Sequence, residues 1–550
     1  MKSQHVFMRL LAALTVAGLM LSACAPAVTQ APAATQAPAA TQAPAATQAP
    51  AATPLPLPTE VTQEPQILKI RMHSDINNLD PAFWPSSTDE LVMTNIAQGL
   101  VAYKPGTWEV VKVLAESFTP SADGLTIDFK LKEGIQFQKG YGEVTAEDVK
   151  FSYERFKDEA LDAPYAGDWA PLDRVEVTGP YTGKIILKEP FAPLLTTTMP
   201  LGSGMVLSKK ALEEMGAEKF GLSPIGTGPY EFVEWKPKEL IALKKFADFN
   251  PDTISDMGPV SLEWDEIAIF PIVEDSAAAV ALEAGDVDFG RVQPIDFDRF
   301  QADANFTTQA VSGIDYEWLN LNYVSPKLKD VRVRQAIRYA LDIDAINLAA
   351  HEGKVKRACA MIAPGQVGYW ADAPCYDQDI EKAKQLLAEA GVSDLNLNLT
   401  VTTSEPNQAA AQVIQAQLAQ ADITVNLETV DDATFNDIGG HIKTRDLTFV
   451  SFSTNPDPSW STVWHLCDQV DQWNFTYYCN PDLDALNAQA AKEPDQQKRS
   501  ALYIEVQKIW DEAAVFNWVS YRSFFYVGRA SLNVPIQPNG RWIAWAVTTK

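Results

Sequence analysis

Four back-to-back copies of Thr-Gln-Ala-Pro-Ala-Ala, from Thr29 to Ala52, deny the early part of this chain any packed fold. The repeat has no aromatic and no long aliphatic side chain. It cannot bury enough apolar surface to offset the entropy of ordering it. Pro54, Pro56, Pro58 and Pro65 extend the same character. Recurrent proline favours an extended chain at about 3.1 Å per residue, so the stretch could hold a domain up to roughly 100 Å from its attachment. Residues 24–65 are therefore expected to be a disordered tether, and residues 66–550 must hold everything that packs. That length predicts two or three lobes rather than a single core.

Ahead of the tether, Lys2 and Arg9 flank the start of an apolar run from Leu10 to Leu21. The run is too short to cross a hydrocarbon core of roughly 30 Å, so residues 1–23 are expected to be a cleaved signal. Leu21-Ser22-Ala23 leads directly into Cys24. This resembles a bacterial lipoprotein signal, which implies that Cys24 is lipidated and becomes the mature N-terminus. The alternative is a plain secretory signal with an incidental cysteine. Two or more acyl chains would anchor the protein stably, and one would not. The expected location is extracytoplasmic, on the outer face of the cytoplasmic membrane, with lipid as the only membrane contact. No second segment approaches membrane-spanning length, so the chain is not expected to be a permease.

The formal charge is −27, and near −29 once Lys2 and Arg9 leave with the signal. Such a charge argues against nucleic acid and against lying flat on anionic lipid. It is read as a solubilising surface. Besides Cys24 there are four cysteines, Cys359, Cys375, Cys467 and Cys479. Outside the cytoplasm an even set reads as disulfides. Three pairings are possible, and local pairing is expected. His73, His351, His441 and His465 are scattered, so neither a zinc site nor any other metal or cofactor is expected.

From Ile67 onward the pattern is mixed α and β. Ile67 to Met72 and Thr126 to Leu131 alternate as strands. Thr145 to Asp148 has the shape of a capping box, with Val149, Ser152, Tyr153 and Phe156 following at helical spacing. Tyr230 to Glu234 and Leu240 to Leu243 read as strands joined by a turn. Asp330 is expected to cap a helix whose inner face carries Val333, Ile337, Ala340 and Leu341. Another helix is expected from about Ile380 to Ala390, stopped by Gly391. Without a strict βαβ rhythm, these elements predict α/β lobes with mixed sheets.

Several blocks then become recognisable in order. They are Asn78-Leu79-Asp80-Pro81, Leu114 to Phe118 with Ala122 to Thr126, Phe129 to Phe137, Thr145 to Val149, Pro224 to Tyr230, Val331 to Ile337 and Tyr478 to Leu486. Together they resemble the family 5 extracellular solute-binding proteins of ABC importers, which bind peptides, nickel and opines. The resemblance implies a two-lobed clamp of the periplasmic-binding-protein type II. Lobe I would span 66–318, with an extra subdomain at about 109–223, and return at 520–550. Lobe II would span 319–519. The hinge would lie near Trp318-Leu319-Asn320 and Trp518-Val519-Ser520, with solute trapped as the lobes close. It implies a monomer working with an ABC permease and ATPase, on a peptide or other small solute. Gly226 and Gly228 are read as turn residues rather than a phosphate loop. Arg332 and Arg334 are read as a solvated helix face or a permease contact.

In dipeptide binders of the family, an aspartate holds the ligand ammonium shortly before an Asp-Pro pair, and an arginine holds its carboxylate. By spacing, Thr454 takes the first place, before Asp457-Pro458, and Thr402 the second. Both charged anchors then look missing, and an aspartate at position 454 is expected to restore the first. Longer peptides held through their backbones, or neutral solutes, stay open. The candidate ligand residues are Trp84, Ser86, Ser87, Thr88, Thr402, Thr403, Ser404, Thr454, Asn455, Asp457 and Trp460. Trp460, Trp464 and Trp473, with Trp84 beside its hydroxyls, would suit sugar rings, which makes an oligosaccharide the second cargo. Core packing is the competing reading of each tryptophan. No Gly-x-Ser-x-Gly, His-Glu-x-x-His or Gly-x-x-x-x-Gly-Lys motif occurs, so a secreted hydrolase is the remote alternative and no catalytic residue is expected.

Overall fold

Alternation at Ile67–Met72 puts Leu68 and Ile70 on one face, and these residues form a strand with both side chains fully buried. The structure, a computed structural model, describes residues 64–83, 86–258, 261–431, 434–435 and 442–550. The signal, Cys24, all of the tether before residue 64, Trp84 and His441 lie outside the described residues. The strand Ile67–Met72 is part of an eleven-stranded mixed sheet. That sheet runs Tyr230–Lys236, Leu240–Lys245, Glu266–Pro271, Ile67–Met72, Phe289–Val292, Phe516–Arg529, Phe306–Leu321, Leu447–Phe452, Leu395–Thr402, Ile423–Val430, with Lys356–Arg357 attached to Phe516–Arg529. Ile67–Met72 pairs parallel with Glu266–Pro271, and Leu395–Thr402 parallel with Ile423–Val430. Parallel neighbours need a crossover, which helix Glu405–Gln420 supplies for the second pair. The predicted mixed α/β class is the observed one.

Apolar clusters sit towards both ends of this sheet. Leu68, Ile70, Ile241, Ile267 and Phe289 pack with Trp542 and Trp545 in one. Leu319, Ile337, Leu397, Ile414 and Phe449 form another. A separate four-stranded antiparallel sheet (Ala115–Pro120, Thr126–Leu131, Thr182–Leu187, Leu172–Gly179) has its own core around Phe129, Tyr153 and Trp169. The long strands Phe306–Leu321 and Phe516–Arg529 serve both ends: Val311, Phe524 and Tyr526 pack in the first cluster, Leu319, Leu321 and Val519 in the second. Their mutual pairing slips between Ser312 and Tyr316, and again between Glu317 and Trp318. Gly313 lies in the first slip, where an added Cβ would stand 2.7 Å from the Arg522 carbonyl oxygen. Trp318 and Trp518 lie beyond that slip, in an aromatic cluster with Tyr316, Phe452, His465 and Phe516. Burial pushes the His465 imidazole down to about 3, so it is a neutral core group.

Local signals explain most helix ends. Thr145 and Asp148 form the predicted capping box of helix Ala146–Glu154. Asp330 caps helix Val331–Tyr339, whose Val333 and Ile337 are buried with Ala340 and Leu341. Helix Ile380–Glu389 stops before Gly391, at φ +72°. Two readings need correction. Gly226 and Gly228 are not among the positive-φ glycines. They are small because added Cβ atoms would stand 2.1 Å from the Ile96 carbonyl oxygen and 2.5 Å from that of Asn95. Arg332 remains on the surface and forks onto Asp330, whereas Arg334 is buried and donates to the carbonyls of Ala513, Leu328 and Lys329. The solvated-face reading therefore fails for Arg334. Asp80 of the early Asn-Leu-Asp-Pro block is scaffold, held by Arg155 through two bonds of 2.7 Å. Both disulfides are the local ones, Cys359–Cys375 and Cys467–Cys479.

Candidate functional site

The slip that opens at Ser312 turns Asp315 out of the strand ladder and towards a cavity of about 630 Å³. This is within the size range of small-ligand sites. Its walls come from distant parts of the chain. Arg71 and His73 end the strand Ile67–Met72, and Arg291 and Arg522 lie on the neighbouring strands. Ser86 and Ser87 open helix Ser87–Ile96, and Ser453, Thr454 and Asn455 follow the strand Leu447–Phe452. Tyr165, Asp168 and Trp460 close one side, and Arg541, Trp542 and Trp545 another.

Charged groups of both signs face this space. Asp315 is buried and accepts from the Thr454 backbone N–H at 2.9 Å. Burial raises its carboxyl above the ordinary carboxylate value, against the pull of Arg522 and Arg541. Burial also pushes Asp168 up to about 6, though Ser203 donates to it at 2.5 Å. Glu90 is likewise raised by burial and pairs with Arg541 at 2.8 Å. His73 opens to the cavity. Removal from bulk water, and then the charges of Arg291 and Arg71, push its imidazole down to about 4, so it is neutral at pH 7. Among the described residues no grouping of histidine, cysteine and carboxylate side chains would hold a metal ion.

Of the residues singled out in the sequence, Ser86, Ser87, Thr454, Asn455 and Trp460 line the cavity together. Thr88 is buried beneath it and shares a hydrogen bond with Ser74 at 2.8 Å. Asp457 is also buried behind the wall, held by Arg499. Thr402, Thr403 and Ser404 lie apart, at the N-terminus of helix Glu405–Gln420, where Asn407 donates to Thr402 at 2.9 Å. Trp460, Trp464 and Trp473 do form a chain, with ring centroids 5.9 and 6.3 Å apart, and Tyr165 stacks on Trp460 at 6.1 Å. The apparent lack of charged anchors reflects where spacing alone looked for them. Asp315, Arg291 and Arg522 on other strands, and Arg541 in the C-terminal segment, supply charge to the cavity. Their one signal in the sequence is a charged residue inside an otherwise apolar strand pattern, as at Gly313-Ile314-Asp315-Tyr316.

This geometry reverses the expectation for position 454. Thr454 is buried, its hydroxyl within hydrogen-bond reach of Ser461 and its N–H on Asp315. Thr454→Asp would set a second carboxylate against Asp315, and like charges in one site resist joint ionisation. The expected outcome is no gain in ligand affinity and a loss of about 1–3 kcal/mol in stability, measured by urea denaturation alongside calorimetric titration. A variant that binds free-amine peptides more tightly would overturn this placement.

Residues 109–474 match the sequence profile described as bacterial extracellular solute-binding proteins, family 5. The chain is 28% identical over 459 residues to the glutathione-binding protein GsiB of Escherichia coli O1:K1, covering 81% of this chain and 87% of that one. Among solved structures it is similar to the periplasmic binding protein DppA from Helicobacter pylori in complex with the peptide STSA. That match has 25% identity, a TM-score of 0.74 and coverage of 88% and 98% of the two chains. The oligopeptide-binding protein AppA from Bacillus subtilis, in complex with a nonapeptide, shares the fold with a TM-score of 0.73 at 22% identity, over 88% and 100%.

Proposed function

The chain belongs to the bacterial extracellular solute-binding proteins of family 5, and from that membership we propose that it is the peptide receptor of an ABC importer. It captures short peptides outside the cytoplasmic membrane and hands them to a permease without making or breaking a bond. The observation that carries this reading is the charge inside the cavity. Among the described residues, Asp315 and Arg291 both face it and neither is in an ion pair. Asp315 is buried, and a buried charge without an opposite partner costs several kcal/mol, while the half-buried Arg291 keeps open donors; a peptide brings an ammonium and a carboxylate to suit the two. The relatives' names, glutathione and peptide binders, point the same way.

In this reading, lobes of about 66–318 with 520–550, and of 319–519, close on the ligand. The slipped pairing at Ser312 to Tyr316 supports a hinge there, a few residues before Trp318. Cys24 carries the lipid, and residues 24–65 give the receptor its reach. Trp460, stacked on Tyr165 at the wall, favours an oligosaccharide as the second reading. Native mass spectrometry of the full chain, purified without refolding, separates the two. Receptors of this kind bind at roughly micromolar or tighter, about −8 kcal/mol, so bound cargo survives purification. Bound masses spaced by amino-acid residues are expected. Steps of hexose or pentose would replace peptide by sugar.

A further inference from the structure

Three guanidinium groups converge where the cavity meets the middle of the large sheet. Arg71, Arg291 and Arg522 come from the strands Ile67–Met72, Phe289–Val292 and Phe516–Arg529, which lie side by side. Arg71 can lie across the sheet because Gly290 has no side chain: an added Cβ there would stand 2.8 Å from the Arg71 Cβ. Arg71 is fully engaged with the protein. Its Nε donates to the Ile272 carbonyl, Nη1 to that of Arg291, and Nη2 to that of Val273 and to Asp275 at 2.7 Å. It is a fixed charge, not a free donor.

The other two are different. The Arg291 guanidinium lies over the Phe524 ring at 5.5 Å and, among the described residues, has no hydrogen-bond acceptor and no ion-pair partner. Among the described residues, Arg522 has a single ion-pair partner, Glu317 Oε1, at 3.6 Å. Glu317 is committed elsewhere, since its Oε2 binds His351 Nε2 at 2.7 Å and accepts from Ser520 at 2.6 Å. Burial would raise the Glu317 carboxyl, but the His351 bond and the neighbouring charges outweigh it and hold the group ionised. Arg71 is thus matched by Asp275 and Arg522 by Glu317, whereas among the described residues Arg291 has no carboxylate partner and keeps its planar, forked donors free. His73, neutral and open to the same corner, adds a ring N–H. Planar forks of this kind match a carboxylate through paired N–H···O bonds.

We propose that Arg291 and Arg522, backed by the fixed charge of Arg71 and assisted by His73, form a subsite that takes a carboxylate of the bound ligand. This rests on the peptide reading and deepens it. Asp315 faces the same cavity, within the field of Arg522, and supplies the opposite sign for the ligand's ammonium. The carboxylate is either the peptide C-terminus or an acidic side chain, and the two are separable.

The test is calorimetric titration of the full chain with three probes. The first is a pool of free-acid tripeptides, and the second is the same pool as C-terminal amides. The third is glutarate, a carboxylate probe that needs no peptide recognition. Free acids are expected to bind at least tenfold more tightly than amides. Arg291→Gln should remove that difference, weakening the acids about tenfold and leaving the amides unchanged. Among the described residues Arg291 makes no hydrogen bond or ion pair and only stacks over Phe524, so the fold is expected to hold, and the acid-against-amide comparison on the unaltered chain reads the same subsite without a variant. If amides bind as well as acids only when the pool contains Asp or Glu, the corner reads a side-chain carboxylate. If acids and amides without acidic residues bind equally, the subsite is wrong and the peptide reading stands. If no peptide binds but glutarate does, in an Arg291-dependent way, the subsite stands and the peptide reading falls. If neither binds, both fall.

Discussion

Arg499→Leu is expected to destabilise the folded chain by about 3–5 kcal/mol, the usual consequence of stripping a buried ion pair of one partner. Arg499 and Asp457 have side chains only 3% and 1% exposed, and their two bonds are 2.6 and 2.7 Å long. Burial alone would raise the Asp457 carboxyl. The Arg499 bonds outweigh burial and hold it below the usual carboxylate range. Asp457 also accepts from Thr196, so the pair ties together segments 261 residues apart. Leucine at 499 would leave that carboxylate buried without its cation. It would also orphan the Ala490 carbonyl that Arg499 Nε now serves. Replacing Asp457 by leucine as well should recover most of the loss, because an apolar pair needs no compensation. Urea denaturation of the two variants decides it. A single variant within about 1 kcal/mol of the unaltered chain would show that the pair is dispensable.

The second large effect is on binding. Asp315→Asn should weaken a free-amine peptide about 100-fold, which is roughly 2.7 kcal/mol. Asparagine keeps the size and still accepts from the Thr454 N–H, so only the charge is removed. Stability should hold or rise, because burial already disfavours the ionised carboxyl. The control is the same peptide with an acetylated N-terminus. It should bind weakly to the unaltered chain and lose nothing further in the variant. Equal losses for amine and acetyl forms would mean that Asp315 positions the wall and does not meet the ammonium.

Residue by residue, what could be read without coordinates was local. The strand at Ile67–Met72, the capping box at Thr145, the stop at Gly391 and the pairing of each cysteine with its near neighbour all depend on a few residues in a row. Ser86, Ser87, Thr454, Asn455 and Trp460, singled out by the family resemblance and by tryptophan beside hydroxyls, do line the cavity together, but it is the tertiary fold that brings their segments to one place. The charges that dominate the cavity were not readable. Arg71, Arg291 and Arg522 are each more than 200 residues from the next, and only strand order makes them neighbours.

The same division holds for the small residues and for charge. Gly226 and Gly228 looked like turn glycines because a Gly-Thr-Gly-Pro run permits a turn. The real requirement is the close passage of Ile96 and Asn95, which no local pattern records. Arg334 sits at a helical spacing that allowed it to be solvated, yet it is buried against three carbonyls from two other segments. By itself the sequence determined that a polar, proline-rich segment precedes a mixed α/β body, because composition and period-2 or period-3.6 patterning act over short distances, while the solute-receptor kinship rested on the resemblance of ordered blocks to a known family. Only the tertiary structure decided which charges share the cavity and which are spent on scaffold. Asp457 and Asp315 are both buried aspartates, and what separates them is whether Arg499 lies within 3 Å.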